Sequence, residues 1–220
     1  MIDLSMIEWA DIWQATWETL AMTGFSLLFT ILIGLPLGIL LFVTGRRQML
    51  AQGGVYAILS FVVNVLRSVP FLILLIVMIP ITVLLVGTSL GVEGAIPPLV
   101  VGTAPFFARL VENVLRDIDR GVIEACQAMG AKNHQIIFGA LLPEALPGLI
   151  AAATVTAIAL MSYAAMSGVI GGGGLGDLAI RFGYQRFQTE VMVVTVAILV
   201  VLVQLLQLFG DRLVAKFTRK

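Results

Sequence analysis

Charge is what this sequence has least of. Only 12% of its 220 residues are charged, 13 basic against 13 acidic, where a soluble domain carries about 25%. A net charge of zero gives the phosphates of nucleic acid nothing to bind. The single cysteine, Cys126, excludes an intramolecular disulfide, and the single histidine, His134, makes no metal site by itself. The phosphate-binding pattern G-x-x-x-x-G-K-[ST] is absent, and Gly-Lys occurs nowhere. The first 20 residues hold Asp3, Glu8, Asp11 and Glu18 but no Lys or Arg. A secretory leader has a basic start, so no cleaved signal is expected.

Apolar residues make up 60% of the chain, more surface than a soluble fold of this size can hide. The expected fold class is therefore all-α: an integral membrane helical bundle, solvated by lipid. Crossing the hydrocarbon takes about 20 mostly apolar residues. Five transmembrane helices satisfy this, at about 19–45, 55–86, 94–115, 146–169 and 191–209. Gly34, Pro36 and Gly38 in the first span predict a kink or a close helix contact. The second is read as one long span bent near Pro70. Splitting it at Arg67, its only charge, would leave no loop and a polar first half.

Orientation follows from the cytoplasmic excess of Lys and Arg. With the N-terminus outside, Arg46, Arg47, Arg109, Arg116, Arg120, Lys132, Arg212, Lys216, Arg219 and Lys220 fall inside, and only Arg181 and Arg186 outside. The expectation is an outer N-terminal segment (1–18), a transmembrane domain (19–213) and a basic cytoplasmic tail (214–220). The longest inner loop is 116–143.

Within that loop Val122, Ala125 and Met129 recur at helical spacing, and Ala128 adds to a shallow apolar side. Gly130 suits a helix stop. By physics alone this is an amphipathic connector at the membrane surface. Glu124-Ala125, Gly130 and Leu142-Pro143, at their spacing, resemble the Glu-Ala-Ala…Gly…Ile-x-Leu-Pro loop of ABC importer permeases. Cys126 and Ala140 depart from it, standing for the usual Ala and Ile, and both are small and apolar. The resemblance implies a coupling helix seated in a cleft of a separate ATPase. Glu124, Ala125, Ala128, Met129, Gly130, Leu142 and Pro143 are the implied contacts.

Further segments extend the likeness: Trp17-Glu-Thr-Leu-Ala-Met22, Arg67-Ser-Val-Pro-Phe71, Ala104-Pro-Phe-Phe-Ala-Arg109, Val111-Glu-Asn-Val114, Leu141-Leu-Pro-Glu-Ala-Leu-Pro-Gly148 and Gly173-Gly-Leu-Gly176. Together they resemble the permeases of bacterial methionine importers over about residues 15–215. That resemblance implies a homodimer in the bacterial inner membrane, two ATPase copies and an outer substrate-binding lipoprotein. It implies L-methionine, and D-methionine, as solute. ATP and magnesium belong to the ATPase, so this chain is expected to bind no cofactor and to catalyse nothing. A permease for another amino acid or small osmolyte stays open, because the loop motif serves many solutes. An ion-driven transporter would bring buried carboxylates or an inverted repeat, and neither is found.

Small residues crowd the fourth span from Ala151 to Gly168, leaving room for close contact or a solute path. Met161, Ser162, Tyr163 and Met166 near its outer end are the candidates for a path or gate, Met166 first, because a flexible thioether can repack between states. Arg67, with Asn64 a turn earlier, is a second candidate. It either meets a solute carboxylate or pairs structurally, for instance with Glu112. Residues 171–176 formally satisfy G-x-G-x-x-G but follow a membrane helix, so they read as a glycine-rich packing turn or a binding-protein contact. The outer stretch 177–190 mixes aromatics with both charge signs and reads as an interfacial belt or the same docking surface.

Overall fold

A computed structural model of the chain describes residues 8–218. Asp3 of the leader reading and Arg219 and Lys220 of the orientation reading lie outside the described residues. No strand occurs among the described residues. Four helical runs are long and apolar enough to cross a membrane, and a pair bent by 98° makes a fifth when the two helices are taken as one span.

The first helix, α1, runs from Trp9 to Thr44. It begins ten residues before the expected span, so residues 9–18 of the expected N-terminal segment continue the helix. Acidic residues in 8–18 hide this extension from a hydropathy reading. Trp9, Trp13 and Trp17 recur every fourth residue and all are exposed, a stripe suited to the headgroup layer.

The fifth helix, α5 (Gly91–Arg116), packs along α1 over most of its length. Gly34 and Gly38 make this possible. A Cβ built at Gly38 would stand 2.6 Å from the Ala108 carbonyl and from Val111 Cβ. One at Gly34 would stand 2.9 Å from the Ala104 carbonyl. Thr30 and Thr103 share a hydroxyl hydrogen bond of 2.7 Å across the buried seam. The glycines thus serve close helix contact, the second of the two roles expected for them.

Between them lie α2 (Gly53–Ser68), α3 (Phe71–Val77) and α4 (Ile79–Val86). The expected bend near Pro70 is present, but it is a corner of 98° rather than a flexed span. Pro70 has no N–H to continue the ladder. Phe71 and Leu75 then bury against Leu99 and Leu160, which turns α3 inward.

The loop 116–143 is shorter than expected, because its second half is helical. After α6 (Arg120–Ala128), α7 (Asn133–Ile136) runs through a π-helical stretch, Ile137–Leu141, into α8 (Leu142–Ser167). Leu142 and Pro143 therefore stand at the foot of α8. A 3-10 turn (Gly168–Ile170), α9 (Gly174–Leu178) and a π-helical stretch (Ala179–Tyr184) lead to α10, Thr189–Phe217. Residues 214–217 of the expected tail are the last turn of α10.

Buried side chains fall into one group around Phe42, Val111 and Leu141 at the α6 end, a middle group around Met22, Leu99 and Leu160, and a third group around Ile12 and Leu175 at the opposite end. Outward faces remain apolar, with Leu32, Phe61 and Leu84 exposed. In water such a surface would aggregate, and in a bilayer it is solvated by acyl chains.

Candidate coupling loop and translocation face

The helix α6 is held at both ends by its own sequence. Asp119 caps its start, its Oδ1 accepting the Gly121 N–H at 2.7 Å. At its end Gly130 takes φ +78°, where a side chain is strained. The Gly130 N–H donates to the Gln127 carbonyl at 2.9 Å and the Ala131 N–H to the Cys126 carbonyl at 3.0 Å, the paired bonds of a Schellman stop. The helix stop expected at Gly130 is there, and the bonds explain it.

Ile123 anchors α6, buried with Leu115, Ile136 and Leu141 of the group at this end, and Cys126 packs partly against the same group. The opposite side is bare. Glu124, Ala125, Ala128, Met129 and Gly130 are all exposed, Met129 by 79%. Val122, expected on that face, is half-buried. Glu124 has no ion-pair partner among the described residues. Beside α6, a cavity of about 400 Å³ opens between Val122, Ala140, Pro143, Glu144 and the end of α10 at Phe217. Pro143 is exposed there and Leu142 half-buried. His134 is exposed on α7.

A polar network braces this end of the bundle. Glu112 is 1% exposed and takes Arg109 at 2.5 Å and Arg116 at 2.6 Å, one turn away on either side. Tyr56 of α2 donates to Glu112 at 3.1 Å, and Arg109 donates to Ser60 and Asn64 of α2 at 2.8 and 2.9 Å. The network fastens α2 to α5 beside the loop. The pairing of Arg67 with Glu112, considered from sequence, is not found: Glu112 is already doubly paired on its own helix. Spacings of three and four residues within one helix were the signal available for these pairs.

The four candidates on α8 divide by face. Ser162 and Met166 are exposed on one side, with Met166 at 45%. Met161 is buried, its sulfur receiving the Thr23 hydroxyl at 3.7 Å. Tyr163 stacks on Phe71 with ring centroids 4.4 Å apart and planes 9° from parallel. Asn64 is bound to Arg109, and Arg67 lies over the Phe106 ring, 5.7 Å from its centroid.

The glycine-rich turn folds back on α1. The Gly174 N–H donates to Glu18 Oε2 at 2.8 Å and the Leu175 N–H to Thr19 Oγ1 at 2.9 Å. Gly171, Gly173 and Gly174 have φ between +74° and +81°, and a Cβ on Gly176 would strike the Ala165 backbone. These amides are occupied within the protein, which favours the packing role over any phosphate-binding one. Further out, Arg181 pairs with Asp177 at 2.8 Å, and Arg181 and Arg186 both lie against Phe182.

A multi-pass helical bundle carrying a short helix with one bare face defines the architecture of the protein. Residues 34–220 match the family model described as "Binding-protein-dependent transport system inner membrane component". The chain belongs to this family and is a multi-pass protein of the inner membrane. It is similar to the probable D-methionine transport system permease protein MetI of Vibrio cholerae, 47% identical over 202 residues, covering 92% of this chain and 90% of that one. It is also similar to the methionine import system permease protein MetP of Bacillus subtilis, 48% identical over 205 residues (93% and 92%). Among solved structures it resembles a chain of the MetNI methionine ABC transporter in an inward-facing conformation. That match has 50% identity and a TM-score of 0.96, covering 97% of this chain and all of the other. A chain of an amino acid ABC transporter, 20% identical with a TM-score of 0.76, shares the fold.

Proposed function

We propose that the chain is the permease subunit of an ATP-driven methionine importer. It works as a homodimer, with two copies of a separate ATPase on the cytoplasmic side and a substrate-binding lipoprotein outside. The relatives named for methionine transport support the solute. The observation that carries the machine is α6: a short capped helix, anchored through Ile123, with a bare face of Ala125, Ala128 and Met129 beside Glu124. Small side chains let a partner approach closely, and Glu124 offers it a charge.

The orientation in this reading is N-terminus outside and C-terminus inside, which places α6 and the basic residues around it in the cytoplasm. Closure of the ATPase pair on ATP draws the two α6 helices together. Ile123, Ile136 and Leu141 share one packed group with Phe42, Val111 and Leu115, so a push on α6 is delivered to α1 and α5. A close-packed group transmits such a push as rigid-body movement, which is alternating access. Met166 and Ser162, on the bare face of α8, are placed to line the path between two copies. Arg46, Arg47 and Arg120 face the cytoplasm, where Arg120 donates to the Arg47 carbonyl at 3.2 Å and steadies the α1–α2 turn.

The test is uptake of labelled L- and D-methionine by cells lacking their own methionine importer. Cells given this chain with its ATPase and lipoprotein are expected to accumulate both. Uptake of a different amino acid and not of methionine would overturn the solute while keeping the machine. Failure of the chain to co-purify with an ATPase would overturn both.

A further inference from the structure

Arg67 is the only charged residue between Gln48 and Val92, and it has no ion pair or hydrogen bond among the described residues. The other arginines of this region are engaged, Arg109 and Arg116 with Glu112. A guanidinium in a membrane segment is costly unless it meets an anion or water. Arg67 ends the last turn of α2, at the mouth of a cavity of about 120 Å³ in the 98° corner. Phe71, Leu74, Gly102, Phe106 and Tyr163 line it. Its volume is that of about four water molecules, enough for a short unbranched side chain.

We infer that this cavity is a binding site for the amino acid in transit, with Arg67 receiving the carboxylate at the mouth and the aromatic wall receiving the apolar side chain. The inference rests on the importer reading above and adds a place inside the bundle where the solute halts. The Arg67 guanidinium carbon lies 5.7 Å from the Phe106 ring centroid, and its N–H groups make no hydrogen bond among the described residues, so they are free to take a carboxylate. The ammonium of the same solute meets the carbonyl end of α2, whose last groups lack helical partners because Pro70 brings no N–H. The stacked Phe71 and Tyr163 give a thioether the aromatic contact it favours. Gly102 sets the depth: a Cβ there would stand 3.2 Å from Leu74 and 3.3 Å from Phe71, so a methyl group shortens the space.

Equilibrium dialysis of the purified permease–ATPase complex, free of lipoprotein, against labelled L-methionine at millimolar concentration tests this. The expected result is binding that falls at least about tenfold in Arg67→Gln, the scale of a lost charge-assisted hydrogen bond, and is partly restored in Arg67→Lys. Gly102→Ala is expected to shift preference from methionine toward alanine. Equal binding in wild type and Arg67→Gln overturns the site. So does displacement by acetate as effective as by methionine, which would make Arg67 an anion seat only. Cellular uptake separates the two proposals: uptake with no Arg67-dependent binding sinks this site alone, whereas no methionine uptake sinks the reading beneath it.

Discussion

The Glu18 carboxylate accepts the Gly174 N–H at 2.8 Å, joining residues 156 positions apart. The first half of α1 is thereby tied to the turn that follows α8. Removing the acceptor leaves a partly buried amide without a partner. Glu18→Ala is expected to cost about 1–3 kcal/mol, and Glu18→Gln, whose side-chain oxygen still accepts, less. Thermal unfolding in detergent reads this, and identical melting of wild type and Glu18→Ala would make the contact incidental.

Gly130 separates backbone strain from docking bulk. A Cβ there meets nothing within 4 Å, yet the residue sits at φ +78°. Gly130→Val is expected to cost about 1–3 kcal/mol through strain alone, whereas Gly130→Asn, which tolerates this conformation, costs little. If the ATPase seats against this spot, Gly130→Asn still folds but loses ATPase coupling. Normal coupled ATP hydrolysis in both variants would remove Gly130 from the interface.

Gly38 is expected to be the least tolerant glycine of α1. Gly38→Ala forces α1 and α5 apart at Val111, at a cost of about 1–3 kcal/mol. Gly24→Ala meets open space and serves as the control. Recovery of folded protein from membranes should drop for the first and not the second.

Ala125 and Ala128 lie on the bare face of α6, so Ala128→Arg leaves the permease folded while blocking the partner. The expected outcome is an unchanged melting temperature with loss of ATPase co-purification. Retained co-purification would count against α6 as the seat.

Glu112 is buried between two arginines, and Glu112→Ala strands Arg109, whose side chain is 16% exposed. Breaking a buried pair of this kind costs about 3–5 kcal/mol. Arg116→Ala is expected to do much less, because that side chain is 46% exposed and solvent screens its charge. Comparative unfolding of the two variants checks the order.

Sequence carried the α6 end of this architecture further than the opposite end. The stop at Gly130 was legible because the helix-ending φ favours glycine, and the loop motif lay in local spacing. Pro70 marked where the second span breaks but not by how much. The angle is set by Phe71 and Leu75 docking on Leu99 and Leu160, contacts between distant parts of the chain. Met161 and Met166 could not be told apart, since α8 is apolar and small-sided around its whole circumference and shows no inward stripe. The start of α1 at Trp9 was hidden because a helix beyond the hydrocarbon no longer has to be apolar. Glu112 was considered for Arg67 as a nearby acid, while its partners Arg109 and Arg116 stand on its own helix.

The corner at Pro70 has a bearing on how the protein is made. The 16 residues of α2 extend only about 24 Å, short of a hydrocarbon layer of about 30 Å. The chain therefore turns while still inside the layer, where bare backbone groups are not solvated. Neither α2 nor α3 is a stable passenger of the bilayer by itself. In the folded protein Phe71 and Leu75 are covered by Leu99 of α5 and Leu160 of α8. Insertion of this chain is thus expected not to proceed as independent crossings, because the segment bent at Pro70 draws its cover from α5 and α8.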